Sequence, residues 1–349
     1  MTPGPVVVDR VVLPAAAAPR WTERCRAEYE PGVIARGGPA AVVHWTAGDR
    51  PGTVTVVCEW HLPDLGAFWR ARAASADSAV LAWWAETDRL ALHRERRVLA
   101  PLPMPVAPVA PVSPVTPDAP TTGVRAVVVG RPVGDPATAV AGLGALAGAL
   151  PGLRASAAGL HLPGVVAPDG LGADAATWDL VLDRADRLDA VLADERVRAL
   201  VTPGTAVRLE PVASRAVAES AHVVVKRTLL LSVRPDADPA AVAGLEADLA
   251  AMPAHIPAIR SWSLARVTGG DPIGGRPWTH VWEQEFADVT GLTSDYMTHP
   301  FHWAVVDAWF DAEVPGHVVA PTLAHLSCTR PPSLAALLDP DLPDDGSRA

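Results

Sequence analysis

VVVKRTLLLSVRPDADP, Val223–Pro239, runs a β-branched and leucine-rich strand into a helix start. Val223–Val233 has strand composition, and Asp238–Pro239 supplies a capping acid followed by proline at the first helical position. The helix is expected to run to about Met252, with strands at Ser261–Val267 and Trp278–Phe286 after it. Between those strands lies GGDPIGGRP, Gly269–Pro277, whose glycine pairs open no helix and therefore read as turn glycines, not a phosphate cradle. Helical segments at Val289–Thr298 and Pro300–Phe310 precede a short last strand, His325–Thr329. The order is β-α-β-β-α-β.

Upstream the same order recurs. Val124–Gly130 is a strand, and Asp135–Pro136 opens a helical stretch to about Leu150. Strands near Ala155–Leu162 and Thr177–Asp183, a helix at Asp186–Leu200 and a strand at Ala206–Val212 complete it. The first hundred residues repeat the pattern with strands at Val6–Leu13, Ala41–Trp45 and Thr53–Trp60, a helix at Pro19–Ile34, and a helical region from Pro63. The expected architecture is α+β, with three tandem ferredoxin-like units whose antiparallel sheets carry helices on one face. Their bounds are 1–100, 123–217 and 222–330, with a tail at 331–349. PLPMPVAPVAPVSPVTPDAPTT, Pro101–Thr122, is too proline-rich for helix or sheet and reads as a polyproline-II-like linker. Each sheet leaves one face needing a partner. Two units can pair inside the chain, and the third then needs a second chain, giving a homodimer, or keeps an exposed face.

Composition narrows the chemistry. The 349 residues are 49% hydrophobic and 19% charged, which excludes a disordered tail protein, and the net charge of −10 opposes a phosphate-backbone binder. Lys226 is the only lysine, Gln284 the only glutamine, and asparagine is missing, so N-glycosylation is excluded and Schiff-base chemistry has one candidate. Cys25, Cys58 and Cys328 are widely spaced without a CxxC and read as buried thiols of a reducing compartment. Asp9 and Arg10 interrupt the only apolar stretch near the start, and no window is long enough to span a membrane. The expectation is a soluble, cytoplasmic protein that binds neither nucleic acid nor membrane.

Seven of the eleven histidines lie between His222 and His325, which makes the third unit the candidate for acid–base work near neutral pH. His222, His255, His317 and His325 sit near element ends or loops, where solvated or capping roles suffice. Along Trp278–Phe286, alternation places Trp278, His280, Trp282, Gln284 and Phe286 on one face, so His280 is either a satisfied core histidine or a neutral pocket group. In SDYMTHPFHWAVVDAWF, Ser294–Phe310, Pro300 fits a first helical position with His299 or Thr298 at the cap. His302, Val306 and Trp309 then share an apolar face directed at the sheet, and the helix dipole favours a neutral imidazole. Such a histidine suits a general base, and Tyr296 suits a donor to a developing oxyanion; a capping histidine and a packed tyrosine are the structural alternative. His299 and His302 lack the companion ligands of a recognised metal motif.

VKRTLLLSV, THVWEQEF and SDYMTHPFH, Val225 to His302, resemble the stress-responsive A/B-barrel (Dabb) family of dimeric α+β barrels. The resemblance covers about His222–Arg330, and its polyketide-cyclase members match most closely. It implies a cofactor-independent cyclase of secondary metabolism that closes a poly-carbonyl or aromatic small-molecule precursor by intramolecular aldol condensation. The catalytic residues it implies are His302 and Tyr296, with His280, Arg227, Trp282, Trp309 and His299 as the expected substrate-binding residues. At Arg227 the chain departs from those cyclases, which carry a pocket histidine there. In unit two, Leu192 and Arg198 replace the tyrosine and histidine. Unit one offers His44, His61 and His93, of which only His93 reads as helical. A cofactor-free monooxygenase on the same fold, and a non-catalytic binding or assembly protein, are the alternative functions.

Overall fold

The computed structural model describes residues 4–48, 50–100, 123–164, 172, 174–217, 224–269, 277–330 and 333–338. The proline tract, His222 and most of the GGDPIGGRP loop lie outside them. The chain divides into two compact units. One comprises the described residues of Met1–Val109, Asp236–Leu245 and Thr298–Pro321, and the other those of Ala110–Pro235, Glu246–Met297 and Thr322–Ala349.

In the first unit, β1 (Val6–Pro14) leads through α1 (Ala18–Arg24), a π-helical turn (Cys25–Tyr29) and α2 (Glu30–Ala35) to β2 (Val42–Ala47) and β3 (Thr53–His61). Then follow α3 (Leu65–Ala73), α4 (Ser78–Leu90) and β4 (His93–Leu99). His93 therefore begins a strand, not a helix: α4 ends at Leu90, and Leu92 already hydrogen-bonds to Val12. The antiparallel order β2-β3-β1-β4 is that of a ferredoxin-like sheet. Alternation along β1 and β3 turns Val7, Val11, Val56 and Trp60 toward the helices, where Trp21, Tyr29, Phe68, Trp83 and Trp84 fill the core. Asp64 caps α3 by accepting from Ala67 N at 2.7 Å.

The second unit holds two more sheets of the same order. The first repeat contributes β5 (Val124–Pro132), α5 (Pro136–Gly144), β6 (Leu153–Leu160), β7 (Ala176–Leu182), α6 (Arg187–Ala193), α7 (Glu195–Arg198) and β8 (Val201–Arg215). The expected helix over 186–200 is broken at Asp194, which leaves helical geometry and caps α7 through Arg196 N. Strands β9 (Val224–Val233), β10 (Ser261–Val267), β11 (His280–Phe286) and β12 (Val319–Arg330) come from the next repeat, with α8 (Pro239–His255) after β9. Pairing of β8 with β10 joins the two sheets into the order β12-β9-β11-β10-β8-β5-β7-β6. An antiparallel bridge between His161 and Cys328, and a 2.7 Å bond from Leu162 N to Ser327 O, bring β12 back to β6. The eight strands thus close on themselves. Gly159 permits this approach, because a Cβ there would sit 2.6 Å from Cys328 Sγ.

One face of every strand enters the barrel. Val127, Val207, Leu230, Val281 and Leu326 form part of that interior, together with a chain of buried charges. Lys226 Nζ donates to Asp179 at 2.7 Å and to Glu283 at 2.6 Å, and Arg125 donates to Glu283 at 2.8 Å. Arg330 completes the set by pairing with Asp179. Burial alone would raise the Asp179 carboxyl, but Lys226, Arg330 and Arg125 outweigh it and hold the group well below the usual carboxylate range. After β12, α9 (Leu334–Leu338) packs Leu334 and Leu337 on Val181, and Glu285 accepts from its Ser333 and Leu334 amides at 3.0 and 3.1 Å.

Candidate functional site

The helix-covered faces of β9 and β11 present Arg227 opposite Gln284, Leu229 opposite Trp282 and Leu231 opposite His280. Arg227 is the pivot. Its Nη1 donates to Gln284 Oε1 at 2.7 Å, and Nη2 meets His325 Nδ1 at 3.0 Å. A guanidinium has only donors, so this His325 nitrogen accepts and the imidazole proton lies on Nε2. The same guanidinium stands 5.2 Å from the ring of Tyr296, which is itself buried edge-on against Phe286 at 5.7 Å. Gln284 also reaches Met252 Sδ on α8 at 3.8 Å, so helix and sheet both fix the orientation.

Four residues along β11, about 13 Å away at 3.3 Å per residue, His280 forms a second polar cluster. Its Nε2 lies 3.0 Å from Glu246 Oε1, and its Nδ1 lies 2.9 Å from Thr279 Oγ1. Burial lowers the His280 pKa, while the Glu246 hydrogen bond pulls it partway back. Glu246 is in turn held bidentately by Arg266, at 2.7 Å from each oxygen. Burial would raise its carboxyl, yet the hydrogen bonds from Arg266 and His280 leave it lowered. Between the two clusters Trp262 and Trp282 pack at 5.5 Å, making an apolar middle.

The His302 segment departs from its expected geometry. Gly291–Tyr296 and Phe301–Val305 are π-helical turns, and Val306–Trp309 is a 3-10 turn. His302 and Trp309 pack on different neighbours, Trp69 and α8 respectively. His302 is buried in the first unit with its ring 5.3 Å from Trp69, and Trp303 enters that unit's core beside Phe68. Trp309 packs on α8 at Gly244, where a Cβ would lie 2.9 Å from the indole. His299 is a capping histidine: its Nδ1 accepts from Phe301 N at 3.2 Å. Tyr296 belongs to the second unit and His302 to the first.

Further along the same segment, Asp307 pairs with Arg72 at 2.6 Å and Glu313 with Arg96 at 2.8 Å, while Tyr29 donates to Glu313. The adjoining cavity, lined partly by Tyr29, Arg96, Asp311 and Glu313, has a volume of about 30 Å³. That is room for one or two waters, not for a substrate. Sequence reasoning missed Glu246 and set His325 aside. Glu246 lies beside the apolar Leu245, Leu249 and Met252 of α8, with Asp248 as a second acid two residues on; His325 gives no signal beyond its strand position. Among the described residues no group of three or more His, Cys, Asp or Glu is arranged to hold a metal ion, and no helix is long and apolar enough to cross a membrane.

Residues 225–320 match the family model of the stress responsive A/B barrel domain. This segment is similar to the Dabb family. It runs from β9 into β12 and carries Arg227, His280, Gln284, Tyr296 and His302; His325 lies just beyond it. No curated protein matches the sequence. Among solved structures, an anthrone oxidase-like protein is similar at 11% identity and a TM-score of 0.46, over 60% of this chain and 93% of its own. A candidate monooxygenase from Lactobacillus acidophilus NCFM gives 11% and 0.39, over 59% and 93%. Chlorite dismutase from Candidatus Nitrospira defluvii gives 13% and 0.37, over 63% and 95%.

Proposed function

We propose that the Dabb half of the barrel is a cofactor-independent cyclase acting on a small poly-carbonyl substrate. The observation that carries this reading is Arg227, a guanidinium fixed by Gln284 and His325 beside Tyr296 in an apolar, helix-covered setting. A C–H flanked by two carbonyls is acidic enough to be removed without a metal, and the enolate oxygen then needs a preorganised positive charge. Arg227 supplies that charge, and Tyr296 presents its ring to the same guanidinium. The α-proton passes to water as the enolate forms; the enolate carbon attacks a second carbonyl, a C–C bond forms as the C=O π bond opens, and the resulting alkoxide takes a proton back from water; loss of water aromatises the ring. The Trp262–Trp282 pair favours a flat, conjugated product.

The test is conversion of a linear poly-β-keto thioester by the full-length protein, followed by mass spectrometry of the ring product. Arg227→Leu should lower kcat/KM by about 100-fold or more. Unchanged turnover in that variant removes the assignment. The same aromatic wall suits a phenolic substrate, so oxygen uptake is measured in parallel: substrate-dependent consumption identifies a monooxygenase instead. Ligand binding with neither reaction identifies a binding protein.

A further inference from the structure

We infer that the indole N–H of Trp282 is a ligand-directed donor that binds a neutral carbonyl oxygen, and that Trp262 keeps it available by denying it an acceptor within the fold. This rests on the reading that the helix-covered face of β9 and β11 takes a small poly-carbonyl molecule, and it adds a second oxygen to the one Arg227 holds. Trp282 is fully buried, and its Nε1 has no hydrogen-bond partner among the described residues. A buried donor left unpaired is costly, and the cost is recovered when a ligand oxygen meets it. Trp83 and Trp278 also keep a buried Nε1 without a partner, but they pack in the N-terminal core and in the barrel interior.

The preceding repeat supplies the comparison. In each repeat the third strand carries an acid of the barrel interior, Asp179 or Glu283, with an indole immediately before it, Trp178 or Trp282. Trp178 donates to Ser156 Oγ at 2.8 Å, and that hydroxyl donates in turn to Leu143 O at 2.6 Å. Ser156 pairs with Leu180, the residue after Asp179. In the next repeat the partner of Gln284, the residue after Glu283, is Trp262. An indole in place of the serine removes the acceptor, since Trp262 offers Trp282 only a ring face, 5.5 Å away and tilted by 54°. The surroundings change with it. Where Gln284, Arg227 and His280 stand, the preceding repeat has Leu180, Ala126 and Ala176. The repeat whose indole is satisfied internally has an apolar face, and the repeat whose indole is not has the polar one. An indole N–H carries no charge, so it selects a ketone or thioester carbonyl, while Arg227 takes the oxygen that becomes anionic. The ligand class is a β-dicarbonyl compound, one oxygen on each donor.

The test is proton–nitrogen NMR of the indole groups in the full-length protein, with acetylacetone as the probe. Trp282→Phe identifies the Trp282 resonance by its loss and, keeping an aromatic ring, should weaken acetylacetone binding by about 10-fold. In the wild-type protein that resonance should move downfield, saturably, as the diketone is added. Trp262→Ser and Trp262→Ala open the same space and differ by one hydroxyl. The serine should give the Trp282 N–H a resting partner, as Ser156 does for Trp178, and make its resonance insensitive to acetylacetone. The alanine variant should stay responsive. Each variant is checked for a native, dispersed spectrum, and the wild-type titration decides the matter if the Trp262 pair does not fold. A Trp282 resonance unmoved at saturation, no binding of acetylacetone at millimolar concentration, or equal responses of the serine and alanine variants would each overturn the inference. Failure of the proposed reaction looks different: acetylacetone still moves Trp282, while the poly-β-keto thioester binds and is not turned over.

Discussion

The imidazole of His302 lies 5.3 Å from the indole of Trp69, tilted by 38°. This contact stitches the histidine of the HPFH element into the core of the N-terminal unit. His302→Ala should therefore cost stability of that unit, about 1–3 kcal/mol for a truncation in a packed site. His302→Gln, which keeps volume, should cost less. Urea unfolding of the two variants beside their turnover separates a packing role from a catalytic one: activity lost equally in both, with stability lost only in alanine, assigns chemistry to the imidazole.

Acid should affect the two units in opposite directions. Burial raises Asp9 to about 6, with Arg96 pulling down and Glu313 pushing up, and burial likewise raises Asp307 to about 6 against Arg72. A carboxyl raised in the folded state binds its proton more tightly there, so stability falls as pH climbs from about 4 to about 6, by about 3 kcal/mol for a group as buried as Asp9. Asp179 has the reverse sign. Its lowered value contributes stability above the unfolded value, and that stability is lost as pH falls through the folded one. Urea titrations at about pH 7, pH 4 and pH 2 should show the N-terminal transition strengthening between the first two and the barrel transition weakening between the last two. Parallel shifts of both would contradict these assignments.

Lys226→Met should destabilise the barrel by about 3–5 kcal/mol, since it removes the buried ammonium shared by Asp179 and Glu283 and leaves each with one arginine, Arg330 and Arg125. Adding Asp179→Asn to Lys226→Met should recover part of the loss. Equilibrium unfolding of the single and double variants measures that coupling.

His280 should stay neutral to lower pH than a free imidazole, because burial lowers its pKa. Glu246→Gln removes the carboxylate that favours the imidazolium, so the His280 titration should move further toward acid. Proton NMR of the ring reads this directly, and an unmoved midpoint would show that Glu246 is not its partner in solution.

The strands were legible because period-two alternation is local: Glu283 and Gln284 are sequence neighbours, yet one enters the barrel and the other joins Arg227. That two of the repeats can pair within the chain also followed from each sheet having one bare face; that they are the second and third did not. The π-helical turns were not legible, since a 3.6-residue template misplaces every face after an inserted residue. Nor did any local signal tell that Trp303 would fill a core built by Phe68 and its neighbours more than two hundred positions earlier. Among the candidate residues, His280 stands out by its strand position, and Arg227 and Tyr296 by the family resemblance. Glu246 and His325 acquire meaning only once α8 and β12 are folded over β9 and β11.

The burial of Lys226 has a practical side. As the chain's single lysine, fully enclosed in the barrel, it offers a lysine-specific endoprotease one cleavage point and no access to it in the native state. The cut, when it comes, falls inside β9, close to where the second half of the barrel begins. Appearance of those two fragments is a built-in clock for barrel opening, silent to any unfolding confined to the N-terminal unit.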